Sequence, residues 1–463
     1  MKNLSLRIAA NQILASALAA VKPERLIKAA ITRAGSQVIL RSQGREELVN
    51  LEPLGEVFLV AFGKAAPFMA TAFLELLGDR VKEGIVVCLP GIPFFWPRVQ
   101  RVEAPHPFPD ERSVKAAEII LSLGQGVQPN DLIFFLISGG ASAQIAKPLP
   151  PITLEEKARV IKALMKAGAD IKELNVVRKH LSAVKGGRMG AHFAPATLVN
   201  LIISDVIGDD IETIASAPTA WDSSTFLEAR EILKRYKLWE AAAISVREVI
   251  EKGIRGEIKE TRKKEEITQA KVINLIVGNN RIALTAAAEK AKELGFKPVI
   301  VSCRESGEAR RAAQVWASLV QSLMAKPGGL TEPLALMAGG ELTVTVKGAG
   351  LGGRNTEFCL ALLREWQEKP LPEEIDWCGA SLATDGRDGP TEAAGALIYP
   401  SVLKKAAAKG LALSRYLDNN DSFSFFKKVG SLIRTGPTKT NVMDIRLLLL
   451  RQSINGSPVS SGR

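Results

Sequence analysis

The sequence predicts an α/β protein of two domains, each built around its own sheet. Three observations carry that expectation. The chain has 463 residues, more than one ordinary domain uses. Short apolar runs at 57–62, 84–89, 132–137 and 196–204 end in loops rich in Gly, Pro, Ser or Asp, and helical patterns alternate with them. Continuous apolar runs of this length suit strands buried on both faces of a parallel sheet. The same alternation returns after a charged stretch in the second half.

The first half opens on an Ala-rich segment after Lys2 and Arg7. Asn11, Gln12 and Ser16 interrupt it, so it predicts an amphipathic helix ending near Pro23 and not a secretion signal. Thr153 and Glu156 have the spacing of a capping box and predict a helix over 154–169. Between about 228 and 268 the chain is charged and helical, which places the domain transition there. The second half then offers strands at 272–277, 298–302, 335–337, 342–346, 380–384 and 396–399, with helices over 281–294 and 356–365. The expected division is 1–245 and 265–452, followed by a polar, Gly/Ser-rich tail at 453–463.

Bulk composition narrows the function. Apolar residues make up 46% and charged residues 24%, ordinary for a globular protein. The net charge is +12, yet the basic run at 255–264 is interleaved with Glu257, Glu260, Glu265 and Glu266. Aromatics are only 5%, too few to alternate with bases as a nucleic-acid platform requires. The charge reads instead as attraction for small anions. Four scattered cysteines and three histidines argue against a zinc site and fit a reducing cytoplasm. No run of about 20 apolar residues spans a membrane.

Six loops concentrate chemistry. Gly63-Lys64-Ala65-Ala66 follows the first apolar run, where a lysine can reach an anion; the spacing is not that of a Walker A loop. Ser138-Gly139-Gly140-Ala141-Ser142 offers amides and hydroxyls to a phosphate, or is a tight turn. The segment from Asn175 to Arg188 crowds Arg178, Lys179, His180, Lys185 and Arg188 together; Arg178, His180 and Lys185 are candidates for anionic substrate groups. Ser204-Asp205 opens an acidic loop in which Asp205 is the best magnesium candidate, an Asx turn being the plainer reading.

Gly348, Gly350 and Gly353 match GxGxxG, with Gly352, Gly353 and Asn355 as phosphate contacts and Arg354 at the loop's mouth. A lone match deep in the second half is weak evidence for dinucleotide binding. Asp385 and Asp388 stand three apart after a strand, able to hold magnesium or to accept a proton.

In this order the segments VAFGKAAPFMA, APHPFPDERSVKAA, FLISGGASA, IKELNVVRKHLSAVKGGR, ISDVIGDDIETIASAPT, AGGELTVTVKGAGLGGRNTEF and ATDGRDGPTEAAGA resemble the class II glycerate kinase family, with a late TGPTKTNVMDIRLLL also fitting. The resemblance implies a Rossmann-like doubly wound N-terminal domain, a C-terminal α/β domain of the MOFRL type and an active site in the cleft between them. It implies transfer of the γ-phosphoryl of ATP to D-glycerate, usually at the 2-hydroxyl. The family's lysine and arginine map to Lys64 and Arg354. With those two in charge of the transferred group, Asp385 is the third catalytic candidate, Ser138, Gly139, Gly140 and Ser142 cradle phosphates, and Asp205 and Asp388 take Mg2+.

Three departures stand out: Ala141 and Ala217 replace glycines usual in the family, and Arg387 replaces an apolar residue. The competing readings are an NAD-dependent hydroxypyruvate reductase and a non-catalytic binding protein. A homodimer is left open.

Overall fold

The computed structural model describes residues 5–52, 55–269, 271–325 and 329–453. The expected tail, from 454 onward, lies outside the described residues. The chain packs as two units. One is Pro23–Gly278. The other joins the first helix, Leu6–Ala20, to the residues from Asn279 onward.

The unit Pro23–Gly278 begins with a small antiparallel sheet of β1 (Ile31–Ala34), β2 (Gln37–Ser42) and β3 (Arg45–Asn50). Its main sheet holds β4 (Val57–Phe62), β5 (Val81–Cys88), β6 (Val99–Glu103), β7 (Leu132–Ile137), β8 (Thr197–Ile203) and β9 (Val272–Gly278). All neighbours are parallel, in the order β6-β5-β4-β7-β8-β9. Counted from β4, that is the 3-2-1-4-5-6 order of the doubly wound nucleotide folds.

Burial explains the apolar runs. Every residue of β4 and β7 is buried. Phe62, Phe135 and Phe193 pack on one face, beside Ala116, Ala117 and Ile120 of the helix Glu111–Gly124. Phe73 of the helix Ala66–Leu77 meets Phe134 on the other face, with ring centroids 4.7 Å apart.

The charged stretch expected to divide the domains is part of this unit. The helices Leu154–Lys166, Ile171–His180, Phe226–Arg235 and Ile244–Ile254 share a second apolar core of Leu164, Val177, Leu233 and Val246. The box at Thr153 is formed as predicted: its hydroxyl accepts from the Glu156 amide (3.1 Å), and Glu156 accepts in return from the Thr153 amide (2.8 Å).

The second unit contains β10 (Lys297–Glu308), β11 (Leu334–Thr343), β12 (Ile375–Ala383), β13 (Gly395–Ile398), β14 (Leu432–Ile433) and β15 (Asp444–Gln452). The order is β10-β11-β15-β12-β13-β14, with only β10 and β11 parallel.

Three expectations are corrected here. The run at 272–277 is not the first strand of the second half; it pairs with β8 and completes the parallel sheet. The two short strands expected at 335–337 and 342–346 are one strand, β11. The first helix belongs with the C-terminal sheet, because its apolar stripe of Ile13, Leu14 and Ala17 packs on the helix Asn280–Glu293 and against β12 and β15.

Candidate functional site

The reversal of strand order between β4 and β7 opens a crevice at their carboxyl ends, the place where open α/β sheets bind ligands. Lys64 follows β4, and the turn Ser138-Gly139-Gly140 follows β7. The two loops are stitched together. The Lys64 amide donates to the Gly139 carbonyl (2.8 Å), the Ala65 amide to the Ser138 hydroxyl (3.0 Å) and the Gly63 amide to Gln144 Oε1 (2.6 Å).

Glycine is required at two of these positions. Gly63 has φ +111°, and a Cβ there would run into Ser138. Gly140 has φ +86°, and a Cβ would stand 3.0 Å from Lys64 Cγ and from the His106 ring. The Asp205 carboxylate lies against Gly139, so tightly that a Cβ on Gly139 would overlap it.

The crevice thus gathers Lys64, Asp205, His106 and the backbone of the turn. Ser138 is buried, and its hydroxyl braces Ala65, so it shapes the loop instead of reaching a ligand. The only sequence signal for His106 is an imidazole between Pro105 and Pro107 in a chain with three histidines. Burial, and then the Lys64 ammonium, holds its pKa down to about 4, so the imidazole is neutral near pH 7.

The basic segment divides by role. His180 is fully buried, with Nδ1 on the Val176 carbonyl (2.8 Å) and Nε2 on Glu260 Oε1 (2.8 Å). Both ring nitrogens are engaged, so His180 is a packing residue and not a substrate ligand. Lys179 pairs with buried Asp222 at 2.5 Å. Arg188 donates to the carbonyls of Lys179 (2.9 Å), Ser182 (3.1 Å) and Lys259 (3.0 Å). Lys185 Nζ donates to the carbonyls of Ser142 (3.1 Å) and Ala215 (3.4 Å), and Arg178 reaches only Asn175 Oδ1 (3.4 Å). Of the expected substrate contacts, Arg178 and Lys185 keep the chemistry for one.

The His180–Glu260 contact has a pH signature. Burial raises the Glu260 carboxyl, but the His180 hydrogen bond and charge, with the Phe226 and Thr261 amides, outweigh it and bring the pKa down to about 2. A depressed carboxyl stabilises the fold above its unfolded pKa of 4.5 and loses that contribution as pH falls from about 4.5 to about 2. With solvent screening the contribution is about 1–2 kcal/mol. Urea unfolding should therefore separate wild type from Glu260→Gln at pH 7, and the gap should narrow towards pH 3.

In the second unit Arg354 is pinned. Its Nε and Nη2 donate to buried Asp444 at 2.6 and 3.0 Å, and Nη1 lies 2.8 Å from Glu341 Oε1. The bidentate geometry fixes the guanidinium plane. Burial alone would lower its pKa, but Asp444 and then Glu341 hold it above the ordinary value, so the charge is permanent.

Two candidates near it are corrected. Asp388 is 1% exposed and accepts four bonds: from the Asn355 amide (2.9 Å) and Nδ2 (3.2 Å), and from the Thr356 amide (2.8 Å) and hydroxyl (2.7 Å). It caps the helix Arg354–Glu368 and has no lone pair to offer a metal. Asn355 is equally engaged, its Oδ1 accepting from Ser381 at 2.5 Å, so it is not a phosphate ligand. Gly352 and Gly353 are crowded by Ser422 and Asp388, which accounts for both glycines by packing alone. Asp385 is half-buried at the end of β12, where its Oδ1 accepts from the Arg387 amide (3.0 Å).

Among the described residues no three His, Cys, Asp or Glu side chains form a metal cage. Magnesium does not ask for one: it keeps several waters and binds one or two carboxylates plus substrate phosphates. Asp205, half-buried against the Ser138–Gly140 turn, fits that mode, and Asp388 does not.

The family departures also resolve. Ala141 opens the short helix Ala141–Gln144 with an ordinary φ, so its methyl is harmless. Ala217 has φ +54°, following Ala215 (+52°) and Ser216 (+61°), and there the extra methyl is strained. The side chain of Arg387 is exposed.

Residues 9–251 match the family described as Domain of unknown function (DUF4147), and residues 334–444 match the MOFRL family. A glycerate 2-kinase of Pyrococcus horikoshii is 38% identical over 440 residues, 95% of this chain and 96% of the relative. A protein of Agrobacterium vitis, provisionally named a hydroxypyruvate reductase, is 41% identical over 400 residues, 86% of this chain and 88% of the relative. The crystal structure of a glycerate kinase from Thermotoga maritima superposes with a TM-score of 0.83 at 37% identity, covering 96% of this chain and 99% of that one.

Proposed function

Because the chain belongs to the glycerate kinase family, we propose that it transfers the γ-phosphoryl group of ATP to the 2-hydroxyl of D-glycerate, giving 2-phosphoglycerate and ADP. The observation that supports this most directly is the crevice at the β4–β7 switch point, where a lysine, a carboxylate and a positive-φ glycine turn converge. Phosphoryl transfer asks little covalent chemistry of a protein; it asks for position and for charge around the γ-phosphate.

In this reading the acceptor oxygen forms a bond to Pγ as the bond to the ADP oxygen breaks. The amides of Gly139 and Gly140 face the phosphates. Lys64 and Arg354 stabilise the charge on the transferred group. Asp385 takes the proton leaving the hydroxyl. Asp205 would hold Mg2+, and the ion would supply positive charge to the phosphate oxygens. The neutral His106 beside Lys64 donates or accepts a hydrogen bond without adding charge. Three of the four cysteines are buried and burial pushes their thiols up, Cys88 to about 11, in keeping with a reducing cytoplasm. No helix among the described residues is long and apolar enough to cross a membrane.

The GxGxxG loop does not favour hydride chemistry. It follows β11 of the mixed sheet, and Gly348 and Gly350 are packed against the backbone of Asn419 and Asp421. A dinucleotide loop instead opens the parallel sheet and leaves its glycines facing the pyrophosphate.

The test is a phosphorus NMR spectrum of the product formed from ATP, Mg2+ and D-glycerate. Resonances of ADP and 2-phosphoglycerate are expected; a 3-phosphoglycerate resonance overturns the position, and unchanged ATP overturns the activity. Asp205→Asn is expected to raise the Mg2+ concentration for half-maximal rate about tenfold, read from magnesium titrations at saturating ATP.

A further inference from the structure

Lys157 lies in the first turn of the helix Leu154–Lys166, yet it points inward. The residue is only 6% exposed, and its Nζ has no hydrogen-bond partner. A buried ammonium with nothing to donate to is costly, and native proteins rarely keep one without a use. Its electrostatic neighbours are more cations: Lys185, Arg178 and Arg188. Arg188 is committed to three carbonyls. Lys185, 2% exposed, has only the Ser142 and Ala215 carbonyls, and Arg178 only Asn175. Among the described residues no carboxylate forms an ion pair with Lys157, Arg178 or Lys185. By contrast, the buried Lys179 beside them on the chain has its Asp222.

Neutral groups complete the set. The Ser142 and Ser216 hydroxyls lie 3.0 Å apart, and Ser216 Oγ donates to Asn175 Oδ1 at 3.2 Å. Ser216 is delivered by the three consecutive left-handed residues Ala215, Ser216 and Ala217. Such strain is kept where the surroundings enforce a required geometry. The arrangement holds three basic side chains and, among the described residues, no acidic partner for any of them.

We propose that Lys157, Lys185 and Arg178 form an anion subsite beside the Ser138–Ser142 loop, and that it takes the carboxylate of the acceptor while Ser142 and Ser216 meet its hydroxyls. The identity of the anion rests on the kinase reading above. The enclosure favours a small terminal carboxylate over a nucleotide: Lys157 and Lys185 are sealed, and only Arg178 is partly open. The more open Lys64 and glycine turn are left to the phosphates. Without the anion the cations repel one another. Burial and then these neighbours hold Lys157 well below its ordinary pKa, and burial and then Arg178 bring Lys185 to about 7. Carboxylate binding restores protonation, so it takes up protons, and acceptor affinity falls as pH rises through the Lys185 value.

The experiment compares wild type, Lys157→Met and Arg178→Gln, each checked for folding by thermal melt. Calorimetric titrations use D-glycerate and, separately, MgATP. Both variants are expected to weaken D-glycerate binding about 30-fold while MgATP binding stays within threefold; wild type is expected to take up protons with D-glycerate, read from two buffers of different ionisation enthalpy. Lys157→Met removes a buried charge in favour of an apolar side chain of similar length, so it should fold, and Arg178→Gln repeats the test at a half-buried position. Weakened MgATP binding with unchanged D-glycerate binding assigns the cluster to nucleotide phosphate and overturns the proposal, as does no change in either or no D-glycerate binding by wild type. Failure of wild type to phosphorylate D-glycerate that it nevertheless binds through Lys157 overturns the kinase reading and leaves the subsite standing.

Discussion

Lys64→Met is expected to lower kcat with D-glycerate and ATP about 10³-fold, with a smaller change, roughly tenfold at most, in KM for ATP. The asymmetry follows from where the charge lies. A cation at the mouth of the β4 turn contributes most when negative charge spreads over the transferred oxygens, which is in the transition state and not in bound ATP. The turn is closed by a backbone bond that methionine keeps: the Lys64 amide donates to the Gly139 carbonyl.

A second readout distinguishes charge from structure. His106 is held near pH 4 first by burial and then by Lys64. Removing the ammonium should raise the His106 pKa partway towards its ordinary value, visible in an NMR titration of the imidazole. Burial, the larger cause, remains, so the rise is partial. A variant within tenfold of wild-type turnover would remove Lys64 from the catalytic set.

Sequence reasoning reached the parallel sheet because its strands are buried on both faces and so read as unbroken apolar runs; β4 and β7 lie where the pattern put them. It placed β9 in the wrong half because an apolar run does not say which sheet it joins. The strand β15 went unread as a strand, although Ile445 to Leu450 is almost wholly apolar, since the late segment was read for its motif. The site divides in the same way. The positions of Lys64, Asp205 and the glycine turn were legible, since each follows the end of an apolar strand. His180, Asp388 and Asn355 were misread because partners 26 to 80 residues away in the chain, which spacing does not reveal, take up hydrogen-bonding groups that a ligand would need. Lys157 escaped notice for the opposite reason: in a helix of sequence LEEKARVIKALMK it looks like one more solvated lysine, and only burial without a partner sets it apart.

Asp388→Ala is expected to destabilise the protein by about 3–5 kcal/mol, whether or not magnesium is present. The carboxylate is buried and gathers two backbone amides, one side-chain amide and one hydroxyl from the first turn of Arg354–Glu368. An ordinary exposed cap contributes about 1 kcal/mol. Here, removal strands several buried donors at once, each at roughly 1–3 kcal/mol, and no water replaces them cheaply in so enclosed a position. For a unit of this size the loss corresponds to a fall in Tm of roughly 6–20 °C. Activity should fall as well, because this helix begins with Arg354 and its first turn orients the guanidinium towards Asp444 and Glu341. Thermal melts of wild type and variant in EDTA and in excess Mg2+ decide the role. An equal drop in both conditions identifies a helix cap. A drop confined to the magnesium condition would make Asp388 a metal ligand after all, and would require that its four donors give way when the ion binds.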